Sequence, residues 1–336
     1  MRAIVRSLVL AGIALFAGAT APSLAEENVA PRCNGFNLLD KLAATDPALH
    51  ARILAKAHTT ENSQALLWRI ERPGVAPSHL FGTIHLSDPR ILALSEATRS
   101  ALEAATVVVI ESADLSPAAA ARAYTAAAES ARFTDGQTLD KLLTKAEFTK
   151  VRRTMHSTSA ALRPYRPWII SLMLTGAECE RRRLESGQPI LDMAIANRAK
   201  ERAIPLAGLE TLEEQFTALA AIPDSDQIGI LRTNLALVDE SENLIETMVQ
   251  LYLTRRVGTL WDLQIAFAEK AGVSPKDFAS FEEIIILDRN RKMQDGARPH
   301  LDKGGAFIAV GALHLPGENG LVALLRKAGY TLTAVE

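Results

Sequence analysis

Several protein classes are ruled out by what this chain has little of. Aromatic residues make up 5% of its 336 residues, which leaves few ring faces for stacking sugars. Its 37 Lys and Arg stand against 39 Asp and Glu, a net charge of −2, so no basic surplus is available to neutralise a nucleic acid. Beyond the first residues, no apolar run is long enough to cross a bilayer. No His-Glu-x-x-His pair occurs, which removes the zincin-type proteases. A Gly-x-Ser-x-Gly elbow is also missing, which argues against a serine enzyme of the α/β-hydrolase kind. Phosphate-cradling glycine loops, heptad arrays and low-complexity tracts are absent as well.

Cysteine is scarce too. The only two are Cys33 and Cys179, neither with a Cys-x-x-Cys neighbour, so they do not make a zinc site by themselves. The first residues bear on their redox state. Arg2 and Arg6 accompany an apolar stretch from Ser7 to Ala17, and Ser23-Leu24-Ala25 is a small-x-small site before Glu26. Residues 1–25 therefore read as a signal peptide cleaved after Ala25, with an uncleaved anchor as the alternative. The expected destination is across the inner membrane, in a bacterial periplasm, with no stable membrane span after cleavage. In that oxidising compartment an even cysteine count favours one disulfide, against the alternative of two free buried thiols. It would close a loop of roughly 145 residues and stabilise the fold by on the order of 5 kcal/mol at most.

Residues 26–336 are read as a single domain. Leucines at helical spacing mark a helix over 36–56. Residues 65–71 and 78–85 read as a hairpin around Arg72-Pro73-Gly74-Val75-Ala76-Pro77. A helix from Asp88-Pro89 to about 104 and a β-branched run at 106–110 follow, which suits a parallel pair with a crossover. A strand over 306–314, a loop, a helix over 321–328 stopped by Gly329 and a strand over 330–335 repeat that order. Between them, about 115–300, the pattern is mostly helical, with helices over 168–183, 224–250 and 276–294 and a short strand and turn at 204–210. The expected fold is α/β (α+β). Its central mixed β-sheet is built from two strand–(Gly-x-x-His)–helix–strand units and carries a large helical insertion as a cap.

The two tetrads are Gly82-Thr83-Ile84-His85 and Gly311-Ala312-Leu313-His314. Each closes an apolar run, and the carboxyl ends of strands are where an open α/β sheet collects ligands. Two imidazoles brought together there could share a divalent metal ion. Glycine three residues earlier removes bulk and lets a neighbouring backbone or a ligand come close. Glu111 follows the run Val107-Val108-Val109-Ile110, so its carboxylate projects at a strand end. It is a candidate metal ligand or general base, and with two histidines it completes a set of three protein ligands with an open position. The bland alternatives are histidines tied to loops and a glutamate paired with an arginine. Glu210 ends another strand-like run and would replace Glu111 as base if Glu111 binds metal.

The chain resembles the TraB/GumN family, also written TraB/PrgY/GumN. The likeness rests on Leu80-Phe81-Gly82-Thr83-Ile84-His85-Leu86, Val107-Val108-Val109-Ile110-Glu111, Leu209-Glu210-Thr211 with Glu214-Gln215, and Asp288-Arg289-Asn290. It continues in Val310-Gly311-Ala312-Leu313-His314-Leu315-Pro316-Gly317 and in the run from Gly320-Leu321 to Gly329-Tyr330. The family is similar to the Tiki-type metalloproteases. That similarity implies a metal-dependent, peptidase-like hydrolase acting on a peptide or protein, with manganese or cobalt as the divalent metal and zinc as a further option. Carried over by position, His85, His314 and Glu111 would hold the metal, and Arg289 and Asn290 would point at the site. Arg289 would steady a carboxylate or an oxyanion, or form a structural ion pair with Glu111, Glu210 or Asp288. Asn290 would meet substrate, and Asp192 and Gln215 match family positions with lower weight. The family's association with exopolysaccharide gene clusters implies the alternative, a non-catalytic periplasmic binding or accessory protein for exopolysaccharide or signal-peptide handling.

Overall fold

The computed structural model describes residues 33–114 and 116–336; the expected leader, residues 1–25, lies outside the described residues. Six strands form one mixed sheet: β1 Leu67–Glu71, β2 Ser78–Thr83, β3 Val107–Ile110, β4 Leu206–Gly208, β5 Ala306–Gly311 and β6 Thr331–Ala334. Their order across the sheet is β4-β3-β5-β2-β1-β6. The pairs β4–β3, β3–β5 and β5–β2 are parallel, and β1 is antiparallel to both β2 and β6. The α/β class with a mixed sheet is as expected. The simple crossover is not. Strands β2 and β3 run in the same direction, but β5, from the far end of the chain, lies between them. Likewise β6 does not pair with β5 and sits at the opposite edge.

Alternation along the strands builds two cores. On one face, Leu67, Phe81, Val108, Ile110, Phe307 and Ala309 pack with Leu191, Ile195 and Ala199 of helix Leu191–Glu201 and with Val249 and Tyr252. On the other, Trp68, Ile70, Leu80, Val109, Ile308 and Val310 pack with Met293, Ala297 and Leu301 of helix Asp288–Lys303. A period of two in the strands therefore sends successive residues to different helices. Strand β5 is buried on both faces, as suits a central parallel strand. Part of the helical insertion has a core of its own, around Leu139, Val151, Leu162, Trp168, Ile169, Ile170 and Leu231.

Several expected elements are shorter or broken. The helix over 36–56 is two, Leu38–Thr45 and Pro47–Thr59, because Asp46 accepts the Leu49 N–H at 3.2 Å and Pro47 opens a new first turn. The helix over 168–183 divides into Pro167–Leu174 and Glu178–Glu185 around Gly176, whose φ is +108°. The strand over 78–85 stops at Thr83, and the one over 306–314 stops at Gly311, where a 3₁₀ turn, Ala312–His314, takes over. Both histidines thus lie beyond the hydrogen-bonded ladder, in the turns that leave it. The helix over 276–294 starts as a 3₁₀ turn, passes through a π turn at Glu282–Leu287 and runs on to Lys303. Cys33 and Cys179 form the expected disulfide, with a Cα–Cα distance of 5.3 Å.

Candidate active site

The parallel strands β4, β3, β5 and β2 end at one edge of the sheet, and the residues that follow them are Glu210, Glu111, the Gly311–His314 turn and His85. The two tetrads also touch. A Cβ placed on Gly82 would come within 2.7 Å of Leu315 Cδ1 and 3.1 Å of Ala312 Cα. One on Gly311 would lie 3.2 Å from Glu111 Oε1 and 3.4 Å from His314 Cδ2. Both glycines therefore permit a close approach, one of the second tetrad to β2 and the other of Glu111 to β5.

Glu111 is buried and fully engaged on one side. Its Oε2 accepts Arg289 Nη2–H at 2.7 Å and Gln215 Nε2–H at 3.2 Å, and its Oε1 accepts the Gly311 N–H at 2.7 Å. Arg289 also donates from Nε to both oxygens of Glu210, at 3.1 Å each, with a further bond from Nη2 to Glu210 Oε1. Its Nη1 reaches the Ile285 carbonyl at 3.3 Å, inside the π turn. Gln215 donates to Glu210 Oε1 at 2.8 Å as well. Of the ion pairs open to Arg289, the fold makes those with Glu111 and Glu210; Asp288 pairs instead with Arg291.

The protonation of His314 follows from its partner. Asn290 Nδ2 donates to the Asn319 carbonyl at 2.9 Å, which turns Asn290 Oδ1 toward His314 Nδ1 at 2.7 Å. The ring carries its proton on Nδ1 and leaves Nε2 as an acceptor. That Nε2 faces Glu111 Oε1 at 3.9 Å. Two acceptors face each other across a gap too long for a hydrogen bond.

His85 stands at the rim, its side chain 62% exposed. Its Nδ1 lies 2.8 Å from Asp192 Oδ2, while Thr83 Oγ1–H donates to Asp192 Oδ1 at 2.6 Å. Nδ1–H is thereby committed to Asp192, and Nε2 is the nitrogen left for solvent or a ligand. The two histidines are thus oriented from opposite layers: Asp192 belongs to the helix on one face of the sheet, Asn290 to the helix on the other.

Charge divides the site. The Asp192 carboxylate raises His85 to about 9, with added pull from Glu111 and against the opposing charge of Arg289. Water at the exposed ring screens part of that attraction. Burial depresses His314 to about 4, with Glu111 pulling the other way. Burial also works to raise Glu111, but His314, Arg289, His85 and the Gly311 N–H outweigh it and hold the carboxyl at about 2. With His314 neutral at pH 7, Arg289 supplies the largest of the lowering charges there. Glu111 is therefore ionised and His314 neutral in the same buried pair.

Glu111, Glu210 and Arg289 thus share one hydrogen-bonded and ionic group, the bonded Asn290–His314 pair faces it across the 3.9 Å gap, and His85 acts on it through charge alone. Among the described residues, no three His, Cys, Asp or Glu side chains stand together closely enough to hold a metal as they are. Asn290 is 1% exposed, and both ends of its amide are engaged, so its place in the structure is behind His314 rather than against a substrate. Sequence reasoning gave Thr83 no role, and Asp192 and Gln215 little weight. Their signal was faint: a threonine inside the first tetrad, and polar residues early in the helices that follow Pro189 and Glu210.

Sequence comparison finds a family model and relatives that match the chain. The TraB/PrgY/gumN family model matches residues 66–334. The uncharacterized protein YbaP of Shigella flexneri is 27% identical over 260 residues, covering 76% of this chain and 90% of the relative. YbaP of Escherichia coli (strain K12) is 26% identical over 260 residues, with the same shares. An uncharacterized protein of Treponema pallidum (strain Nichols) is 24% identical over 194 residues, 55% of this chain and 57% of the relative. No solved structure matches the chain.

Proposed function

This chain belongs to the TraB/PrgY/gumN family, and from that premise we propose that it is an exported, cation-dependent hydrolase acting on peptide or amide bonds. One observation carries the reading: the lone pair of His314 Nε2 and the ionised Glu111 Oε1 converge at 3.9 Å with no hydrogen bond between them. Paired lone pairs of this kind fit a shared cation. Ligand bonds of about 2.1 Å in a tetrahedral set put donors about 3.4 Å apart, so a small inward movement of either side chain suffices. Among the described residues no three donor side chains stand together as they are, so His85, exposed on the neighbouring strand end, would have to move inward to become the third donor. The likeness to Tiki-type metalloproteases makes manganese or cobalt the favoured ion, with zinc next. When bound, such an ion acidifies water and polarises a carbonyl oxygen.

The protein's own groups have distinct tasks in this reading. Asn290 keeps the proton on His314 Nδ1, so that neutral ring offers Nε2 as it stands. Asp192 holds Nδ1–H of His85, whose Nε2 would be offered once a cation displaces the second proton that the raised pKa keeps on the ring at neutral pH. Arg289 and the Gly311 N–H keep Glu111 ionised at neutral pH, ready to bind a cation or to take a proton at Oε1. Arg289 is saturated by two carboxylates, which makes it a support for Glu111 rather than a donor to an oxyanion. With Glu111 Oε1 turned to the cation, the base would have to be Glu210, but both its oxygens accept from Arg289, so that role is left to a group outside this pair. The Cys33–Cys179 disulfide supports an oxidising compartment, the periplasm in a bacterium. No described helix is long and apolar enough to cross a membrane.

The same Arg289 saturation favours a second reading, in which the carboxylates are purely structural and the chain is a non-catalytic periplasmic binding or accessory protein. Turnover of a fluorogenic peptide library separates the two. Cleavage that appears with added Mn²⁺, disappears with chelator and falls by at least about 100-fold in His314→Ala is expected for the hydrolase. A chain that takes up the ion yet cleaves nothing would establish the second.

A further inference from the structure

The helices at 178–201 grip the loop that carries His85 at successive positions. Asp192 takes the Thr83 hydroxyl at 2.6 Å and the His85 ring at 2.8 Å. The Leu191 N–H donates to the Leu86 carbonyl at 3.1 Å. Glu180 accepts both the N–H and the hydroxyl of Ser87, at 2.9 and 2.7 Å, and Arg183 reaches Asp88 Oδ2 at 3.2 Å. Ser87, Asp88, Glu180 and Arg183 are all 5% exposed or less. Cys179, next to Glu180, ties the same helix to Cys33.

Most of this grip is explained by packing and by satisfying buried polar groups. Asp192 is not. Leu191, Ile195 and Ala199 already seat its helix on the sheet, and a charge at 192 adds nothing to that contact. The carboxylate is instead spent on a single strand end: Thr83 holds one oxygen, which fixes its rotation, and the other oxygen holds the ring two residues on. An imidazole that donates Nδ1–H to a carboxylate is restricted in angle, presents Nε2 and becomes a stronger donor there.

We infer that Asp192 is the positioning residue of His85, accepting its Nδ1–H so that Nε2 alone is presented at the carboxyl edge of the sheet. The consequence for cation binding rests on the hydrolase reading above; the orientation of the ring does not. Thr83 is the support of this support. Asn290 performs the matching task for His314 with a neutral amide, so the two imidazoles are held by unlike groups.

The test uses the full mature chain with Asp192→Ala, Asp192→Asn and Thr83→Val, each checked for an unchanged fold by thermal melting. Proton NMR follows the imidazole N–H of His85, assigned by its loss in His85→Gln, and calorimetry measures Mn²⁺ affinity. The low-field N–H is expected in the wild type and absent in Asp192→Ala. Mn²⁺ affinity is expected to fall about 10–100-fold in Asp192→Ala, with a smaller loss in Thr83→Val. Persistence of the N–H signal in Asp192→Ala overturns the inference, and so does wild-type Mn²⁺ affinity in that variant. If the wild type itself binds no Mn²⁺, the hydrolase reading fails, while loss of the N–H signal in Asp192→Ala still supports the orienting role.

Discussion

At His314 the ring is neutral because it is buried and because Asn290 offers it an oxygen without a charge. At His85 the same kind of residue meets a carboxylate and water, and it holds its proton to about 9. The tetrads are alike as sequence; their partners make them chemically unlike. Stability should therefore depend on pH from both sides. The raised pKa of His85 contributes stability that is complete below its unfolded value of 6.5 and is lost as pH rises through about 9. The depressed pKa of Glu111 contributes stability present above 4.5 and lost as pH falls toward about 2, and the neutral His314 adds to the acid loss between 6.5 and about 4. Urea midpoints measured across pH should show both limbs. His85→Ala should flatten the alkaline limb and Glu111→Gln the acid one; limbs unchanged by these substitutions would mean that other groups carry the titration. The residue-scale features that sequence could show were glycines, histidines and a glutamate at the end of an apolar run. Thr83 was invisible as a functional residue because its hydroxyl acts on a helix more than a hundred positions away.

Among the elements, the helix ending at Lys303 does two jobs with one face. Met293, Ala297 and Leu301 bury against the sheet, and one turn earlier the same face delivers Arg289 and Asn290 to the strand ends. The π turn just before it supplies the carbonyl of Ile285 to Arg289 Nη1. An insertion of this kind has no reliable sequence signature, because the run Glu282-Glu283-Ile284-Ile285-Ile286-Leu287 suits an ordinary helix equally well. Strand ends were also hard to read: an apolar run continues through Ile84 and Leu313, whereas the ladder stops where Gly82 and Gly311 admit the neighbouring turn. Arg289 between Glu111 and Glu210 is a buried ion triad, and its loss leaves two carboxylates without their cation. Arg289→Met should destabilise the fold by about 3–5 kcal/mol in urea unfolding. Adding Glu210→Gln should recover part of that loss. A cost below about 1 kcal/mol would mean that the triad is solvated rather than buried.

For the molecule as a whole, the α/β class and the disulfide partners were legible in 336 residues, but the strand order was not. Strand β5 enters between β2 and β3 from the end of the chain, and local periodicity holds no information about such a pairing. That insertion makes the site. It sets the second tetrad against Gly82, places the Gly311 N–H on Glu111, and brings two histidines to one edge, each oriented by a helix from a different layer. The disulfide lies outside this group and fastens the Glu178–Glu185 helix, which holds Ser87 beside it. The central claim is that Glu111 and His314 share a divalent cation. Elemental analysis of chelator-free protein reconstituted with Mn²⁺ and desalted tests it most directly. About one ion per wild-type chain is expected, with none retained by His314→Ala or Glu111→Gln. A wild type that retains no ion, or a His314→Ala chain that retains as much as the wild type, would contradict it.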